Sequence, residues 1–229
     1  MTRLVRVGVL LSFLALAAGR SPAAAQTPEG VLDYYTQLQI AQGAGFPAYR
    51  IEPGAAGPVA SGGLHGEQAR LALVLDEAHL YLRIDAAGDD AAAAFVTELA
   101  VWFDAEGFPL VGLSERGLTA GVPFGGRVRF YSRASGRWNL VTDRVWPALD
   151  EALCRTPAQA VDEATAAGEG LGRAITLLPR TGIDPQVWCV APSPMAGQGV
   201  AVSWDRAAAG FGQQTPLPGP PPWPDAPSP

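Results

Sequence analysis

Aromatic rings alternate with charged, planar side chains along three β-like segments of this sequence. In residues 80–85, Tyr81, Arg83 and Asp85 alternate with aliphatic residues, and residues 97–103 and 127–132 show a similar pattern. Successive side chains of a strand point to opposite faces of a sheet. If the three strands are neighbours, we expect one face to carry a mixed set of residues, namely Tyr81, Arg83, Glu98, Trp102, Arg129 and Tyr131.

This mixed set has the chemistry of a carbohydrate-binding surface. The C–H face of a pyranose packs on an indole or phenol ring, while Arg and Glu side chains hydrogen-bond to the sugar hydroxyls. We therefore predict that these residues bind a carbohydrate or another small extracellular ligand. The alternative is ordinary cross-strand packing, with Trp102 and Tyr131 under a loop or helix and the charged residues paired with each other.

Acidic residues and cysteines suggest two further features. Asp104 and Glu106 follow a predicted strand and offer part of the oxygen set that calcium requires, although a solvated turn is the simpler interpretation. Cys154 and Cys189 are the only cysteines. An even pair favours a disulfide in an exported protein, with two buried free thiols as the alternative.

The composition argues against several classes of function. All basic residues are Arg, so there is no Schiff-base or P-loop lysine, and the formal net charge is -6, which disfavours nucleic-acid binding. The sequence has no nucleophile elbow, zinc-protease motif or dinucleotide-binding glycine fingerprint. Carboxylates are plentiful, so a glycosidase pair stays open, but none stands out. The sequence leaves enzymatic activity undecided and favours a non-catalytic protein that needs no cofactor.

Short β-forming segments dominate the chain and would position these residues. Two hairpins are predicted, over 70–85 and 127–141, with further strands over 97–103, 172–178, 187–191 and 200–204. A helix is predicted over about 28–41, with Thr27 as N-cap and Gly43 at its end, and another after Thr156. Residues 52–68, rich in Gly and Pro, read as an irregular loop. We predict an all-β fold, an antiparallel β-sandwich with one or two short helical inserts.

The two ends of the sequence differ from the rest. Residues 1–25 combine an Arg-containing start, a short apolar run and a small-residue cleavage site, which is typical of a signal peptide and predicts a secreted or periplasmic protein without a membrane span after cleavage. Residues 215–229 are rich in proline and predict a disordered tail that offers a surface for a protein partner. Residues 26–214 are expected to form a single domain.

Several segments resemble the exported β-sandwich superfamily of family 9 carbohydrate-binding modules and DOMON domains. The resemblance spans about residues 69–206 and rests on Asp76-Glu77, Leu80-Tyr81, Asp104 to Gly107 and Ile175 to Pro179. The early Asp-Gly and Trp segment typical of the family is absent. The resemblance implies an extracellular sandwich that binds carbohydrate, either alone or as an accessory module of a secreted hydrolase or surface assembly.

The same resemblance implies an alternative, a periplasmic electron-transfer domain that binds haem b. Relatives hold haem through Met together with His or Lys. After removal of residues 1–25 this chain retains Met195 as its only Met and His65 and His79 as its only His residues. Met195 and His79 are the candidate axial ligands. The order of the two ligand types along the chain departs from the family pattern, and a covalent c-type haem motif is absent.

Overall fold

The computed structural model describes residues 30–43, 46–47, 49–55, 57–62, 70–87, 93–119, 122–133, 136–147, 149–154, 174–190 and 193–219. These residues form antiparallel sheets with three short helices, which confirms the predicted all-β sandwich. The predicted signal peptide, the helix predicted after Thr156, His65 and residues 220–229 lie outside the described part of the chain.

Twelve strands and three helices are found among the described residues. The helices are α1 (Val31–Gln42), α2 (Thr142–Val145) and α3 (Leu149–Cys154). The strands are β1 (Tyr49–Gly54), β2 (Gly57–Gly62), β3 (Arg70–Asp76), β4 (Tyr81–Ala87), β5 (Ala93–Phe103), β6 (Pro109–Thr119), β7 (Val122–Ser132), β8 (Asn139–Leu140), β9 (Ala174–Leu177), β10 (Gln186–Cys189), β11 (Gly199–Asp205) and β12 (Gly210–Pro216).

The strands form two antiparallel sheets and a separate hairpin, and in each of them strands that are consecutive in the chain pair with each other. The large sheet has the order β3-β4-β5-β6-β7-β8, the small sheet has the order β12-β11-β10-β9, and β1 and β2 form a separate hairpin. Hairpins of this kind need only short connections, such as the 3-10 turn Glu77–His79 between β3 and β4. The predicted hairpin over 70–85 is thereby confirmed.

The inner core lies between the two sheets. Trp102, Leu110 and Phe130 of the large sheet pack with Val202 and Phe211 of the small sheet. Gly112 makes room for the large rings, because a Cβ at this position would lie 2.9 Å from both Phe130 and Trp102. Helices α2 and α3 close this core through Val145 and Leu149.

The opposite face of the large sheet is also covered. Tyr34, Tyr35 and Leu38 of α1 pack with Phe46 and with a row of buried residues of the sheet, namely Leu82, Ile84, Leu99, Val111, Leu113 and Tyr131. The hydroxyl of Tyr35 donates to the carbonyls of Pro47 and Tyr49, which fixes the helix to the start of β1. The large sheet is therefore buried on both faces.

The structure confirms the first predicted helix but corrects its start, and it also corrects the loop predicted over residues 52–68. Residues 52–68 were expected to be irregular, yet in the described part of this range β1 and β2 pair from Tyr49↔Gly62 to Gly54↔Gly57. Gly57 has a φ of 127°, a conformation that side chains rarely adopt, and so permits the tight reversal. Helix α1 begins at Val31 rather than after Thr27, because Asp33 and Glu77 accept from the free backbone N–H groups of Gly30 and Val31. It ends at Gly43, as predicted.

Two further strands were missed, and one of them moves the predicted domain end. Strand β6 joins β5 to β7 in the centre of the large sheet, and β12 forms the edge of the small sheet. Strand β12 continues through Thr215 and Pro216, so residues 215–216 are not tail. A proline is tolerated at the end of an edge strand because its missing N–H faces no partner strand.

A disulfide joins Cys154 of α3 to Cys189 of β10, with a Cα–Cα distance of 5.3 Å. The predicted pairing is confirmed. It fixes α3 to the small sheet at a point where both cysteines are fully buried. Disulfides of this kind are typical of oxidising compartments. None of the helices among the described residues has the length and apolar character needed to cross a membrane.

Candidate functional site

The six residues predicted to form one binding face lie on two different faces. Tyr81, Glu98 and Trp102 point towards the small sheet, together with Arg83. Tyr131 and its strand neighbour Arg129 point towards α1, since Tyr131 packs with the helix and pairs in register with Val111. The predicted common face was therefore wrong.

The three aromatic residues of the predicted face are also inaccessible, and Tyr81 is 3% exposed. Trp102 is 4% exposed and Tyr131 is 1% exposed. Trp102 contacts Phe130, Trp204 and Phe211, and its indole N–H donates to the carbonyl of Ile183 at 2.7 Å. Trp102 is thus a core residue, as in the alternative interpretation of cross-strand packing. Arg129 forms an ion pair with Glu115 on the α1 side of the sheet.

Three of the predicted residues do lie together, around a buried ion pair. The Glu98 carboxylate accepts from both terminal nitrogens of Arg116, at 2.7 and 2.9 Å. It also accepts from the Tyr81 hydroxyl at 3.1 Å and from the backbone N–H of Leu178 at 3.1 Å. Arg83 is the cross-strand neighbour of Glu98. These contacts place a charged cluster between the sheets, beside the inner core.

The electrostatics of this cluster follow from burial and neighbouring charge. Burial raises the pKa of Tyr81 well above its usual range, and the negative charge of Glu98 adds to the shift. Burial alone would lower the pKa of Arg83, but its hydrogen bond to Asp85 and the charge of that carboxylate outweigh the effect and leave the pKa raised. Tyr81 stays neutral and Arg83 stays charged at any physiological pH.

The charged cluster forms the floor of a cavity of about 470 Å³, which we call the arginine cavity. Its walls come from the end of β9, the start of β10 and the loop between them. The loop reaches over β3, because Arg180 Nε donates to Asp76 Oδ2 at 3.0 Å. The described lining residues are Arg83, Glu98, Arg116, Leu177, Leu178, Pro179, Arg180, Thr181, Asp184 and Gln186.

A second cavity, of about 520 Å³, lies between β7, α2 and the small sheet, and we call it the tryptophan cleft. Its described lining consists of Gly126, Arg127, Val128, Thr142, Asp143, Trp146, Pro147, Leu149, Ala174, Thr176 and Val187. Gly126 lies where β7 and β9 come close together beside the cleft. A Cβ at Gly126 would lie 2.4 Å from the Ala174 carbonyl, so only glycine lets β9 approach β7 this closely.

Trp146 is the large aromatic residue of this cleft. Its indole stacks on Phe130, with ring centroids 5.1 Å apart and an angle of 29° between the ring planes. Phe211 meets it edge-on at 5.1 Å. The backbone N–H of Phe130 donates to the Thr142 hydroxyl, which ties α2 to β7 beside the ring. Trp146 is only partly buried, so a fixed indole borders open space.

Sequence reasoning missed the two residues that define these cavities. Arg116 lies on β6, which was not predicted, and its side chain pairs diagonally with Glu98 across the β5–β6 ladder. Trp146 follows a four-residue helix that has too few residues for a visible periodicity. A signal was present for Arg116, because an Arg flanked by Gly112, Leu113 and Leu118 suggests a buried strand that needs an acidic partner.

The candidate calcium ligand Asp104 has a structural role. Its Oδ1 accepts from the backbone N–H of Phe108 at 2.7 Å and closes the turn between β5 and β6, while Glu106 is exposed in that turn. Within the described ranges, no group of three or more His, Cys, Asp or Glu side chains is arranged to hold a metal ion.

The two candidate haem ligands lie in different parts of the fold. His79 lies in the turn between β3 and β4 with its side chain 51% exposed, and its Nδ1 is 3.0 Å from Asp76 Oδ1. Met195 lies between β10 and β11 and packs against the inner core. Haem binding stays a prediction.

Comparisons with protein-family models, with curated proteins and with solved structures return no match for this chain. The resemblance to carbohydrate-binding modules and DOMON domains therefore stays a prediction based on short sequence segments.

Proposed function

We propose that this protein is an exported, non-catalytic binding domain whose ligand is a carbohydrate and whose binding site is the tryptophan cleft. The observation that carries the proposal is the partly exposed Trp146 indole, held rigidly against Phe130 and Phe211 at the border of the cleft. The proposal keeps the predicted class of ligand and moves the site away from the core residue Trp102.

A fixed indole suits the apolar C–H face of a pyranose. Because Trp146 is already immobilised by two ring contacts, a sugar that packs on it loses little side-chain entropy on binding. The equivalent surface of Trp102 is covered by core residues. An open, pre-organised ring is therefore available in the tryptophan cleft and not in the predicted face.

Polar groups beside the ring supply the hydrogen bonds that hydroxyls require. Asp143 is exposed next to Trp146, and Thr142 and Thr176 line the same cavity. Carboxylates accept from sugar hydroxyls, and threonine hydroxyls both donate and accept. A volume of about 520 Å³ lies within the range of small-molecule sites and accommodates one or two sugar rings.

Export is part of the proposal because the protein must leave the cytoplasm to meet an extracellular glycan. The Cys154–Cys189 disulfide is consistent with an oxidising compartment, and the signal-like residues 1–25 supply a route.

The experiment is a glycan-array screen of the purified domain, followed by calorimetric titration of the best ligand against two variants. Trp146→Ala should weaken binding by about 1–3 kcal/mol through loss of the ring contact. Trp138→Ala is the matched control, because that indole is also partly buried but packs against Tyr34 of α1, away from the cleft. Binding to no glycan, or equal losses in both variants, would refute the proposal.

A further inference from the structure

The arginine cavity holds more hydrogen-bond donors than its own acceptors use. The Glu98 carboxylate is occupied by four donors, from Arg116, Tyr81 and Leu178. The Arg116 side chain is 1% exposed, and its Nε has no hydrogen-bond partner among the described residues. Buried donors of a charged group are almost always paired, so this N–H calls for an acceptor that the described chain does not supply.

Two further guanidinium groups border the same space. Arg83 uses its Nε to bind Asp85 at 2.8 Å, and Arg180 uses its Nε to bind Asp76 at 3.0 Å. Within the described ranges, the terminal nitrogens of these two residues have no recorded acceptor. Three guanidinium groups thus meet at a cavity whose described lining includes only two carboxylates, Glu98 and Asp184.

The second carboxylate is also engaged. Asp184 Oδ1 accepts from the backbone N–H of Trp204 at 3.1 Å, which holds the loop after β9 against β11. Asp85 and Asp76 balance the charges of Arg83 and Arg180 beside the cavity, so what the cavity holds in surplus is N–H donors, not net positive charge. The walls contributed by Leu177, Leu178 and Pro179 are apolar.

We propose that the arginine cavity is a binding site for a small organic anion that carries a carboxylate. Guanidinium groups present paired N–H donors that match the two oxygens of a carboxylate. The apolar wall packs against the carbon skeleton of the ligand. A volume of about 470 Å³ fits an acid of the size of a single sugar acid. The site is separate from the tryptophan cleft and does not depend on it.

The test is a titration of the full chain with acetate, lactate and glucuronate, with glucose and inorganic phosphate as comparison ligands at constant ionic strength. In the Trp146→Ala variant, which lacks the indole of the proposed glycan site, calorimetry should detect saturable binding of at least one carboxylate and none of glucose. A bound carboxylate should also raise the Tm in proportion to the logarithm of its concentration. Absence of binding by all three carboxylates, or binding of phosphate alone, would overturn the proposal.

Variants then assign the binding to the cavity. Arg180→Gln should weaken carboxylate binding by about tenfold or more, as expected for a charge-assisted hydrogen bond, and leave the fold intact because Arg180 is exposed. Arg83→Gln should act in the same direction. The matched control is Arg50→Gln, because Arg50 forms an exposed ion pair with Glu52 away from the cavity.

Two outcomes separate this site from the proposed glycan site. Trp146→Ala should bind the carboxylate as tightly as the unaltered protein does. If Arg180→Gln and Arg50→Gln bind the carboxylate equally well, the anion binds elsewhere and the arginine cavity is not its site.

Discussion

Glu98 and Arg116 show how a charged pair is accommodated between two sheets. Removing two charges from water is costly, and the pair is tolerated only where the geometry is close and the remaining oxygens are satisfied. Glu98 meets this condition through four hydrogen bonds, whereas Arg116 leaves Nε without a partner among the described residues. Within this ion pair the acceptor is fully used, whereas one donor has no partner among the described residues.

Trp102 provides a prediction at the scale of a single residue. Trp102→Ala should destabilise the protein by about 3–5 kcal/mol, because it leaves a cavity among Phe130, Trp204 and Phe211. Phe103→Ala is the control, since Phe103 is the next residue on β5 but is 36% exposed, and it should cost about 1 kcal/mol or less. Urea denaturation measures both. Equal losses, or a loss of ligand binding without a loss of stability for Trp102→Ala, would contradict a core role.

The strands that were predicted have residues that favour a strand by themselves, whereas the strands that were missed depend on pairing with neighbouring strands. Strands β3 and β4 contain Leu, Val and Ile at alternate positions, and their pairing needs only a short turn, residues 77–80. Strand β6 contains Gly112, Glu115, Arg116 and Gly117, which have low intrinsic strand preference, and it forms because β5 and β7 pair with it along both edges. The β1–β2 hairpin is likewise rich in Gly and Pro, which have low strand preference. It is held in place because some of its residues pack in the apolar cluster that contains α1.

Close packing within the small sheet yields a prediction for β11. A Cβ at Gly199 would lie 2.5 Å from the Trp188 ring, so Gly199→Ala must displace a buried indole and should destabilise the protein by about 1–3 kcal/mol. Gly212→Ala on the neighbouring strand meets nothing within 4 Å and should leave stability unchanged or raise it by about 0.5 kcal/mol. Thermal denaturation of the two variants distinguishes them. A stable Gly199→Ala variant would show that Trp188 can move without cost.

At the scale of the whole molecule, the sequence predicted the class of fold and not the orientation of its faces. Alternation along a strand divides its side chains into two sets, one for each face of the sheet. It shows which set faces the core only when the other face is open to water. Here α1 covers one face and the small sheet covers the other, so both sets are buried and each contains aromatic residues. Because β6 was not predicted, the register between β5 and β7 was also unknown, and Tyr131 was placed on the wrong face.

The segment at the C-terminal end of the domain packs against the small sheet and gives a prediction about where the domain ends. The Leu217 backbone N–H donates to the Gly199 carbonyl at 2.9 Å, and its side chain packs against the cluster of Ile175, Trp188 and Val190. Thr215 and Pro216 pair with Ala201 and Val200 of β11.

A chain that ends at Gly219 keeps all of these contacts, whereas a chain that ends at Gln214 loses them. We expect the shorter chain to melt about 3–6 °C below the longer one, since burial of one leucine and the end of a strand is worth about 1–2 kcal/mol. Differential scanning calorimetry of the two chains measures the difference. Equal melting temperatures would mean that the edge of the small sheet does not depend on Leu217, and that the domain ends at Gln214 after all.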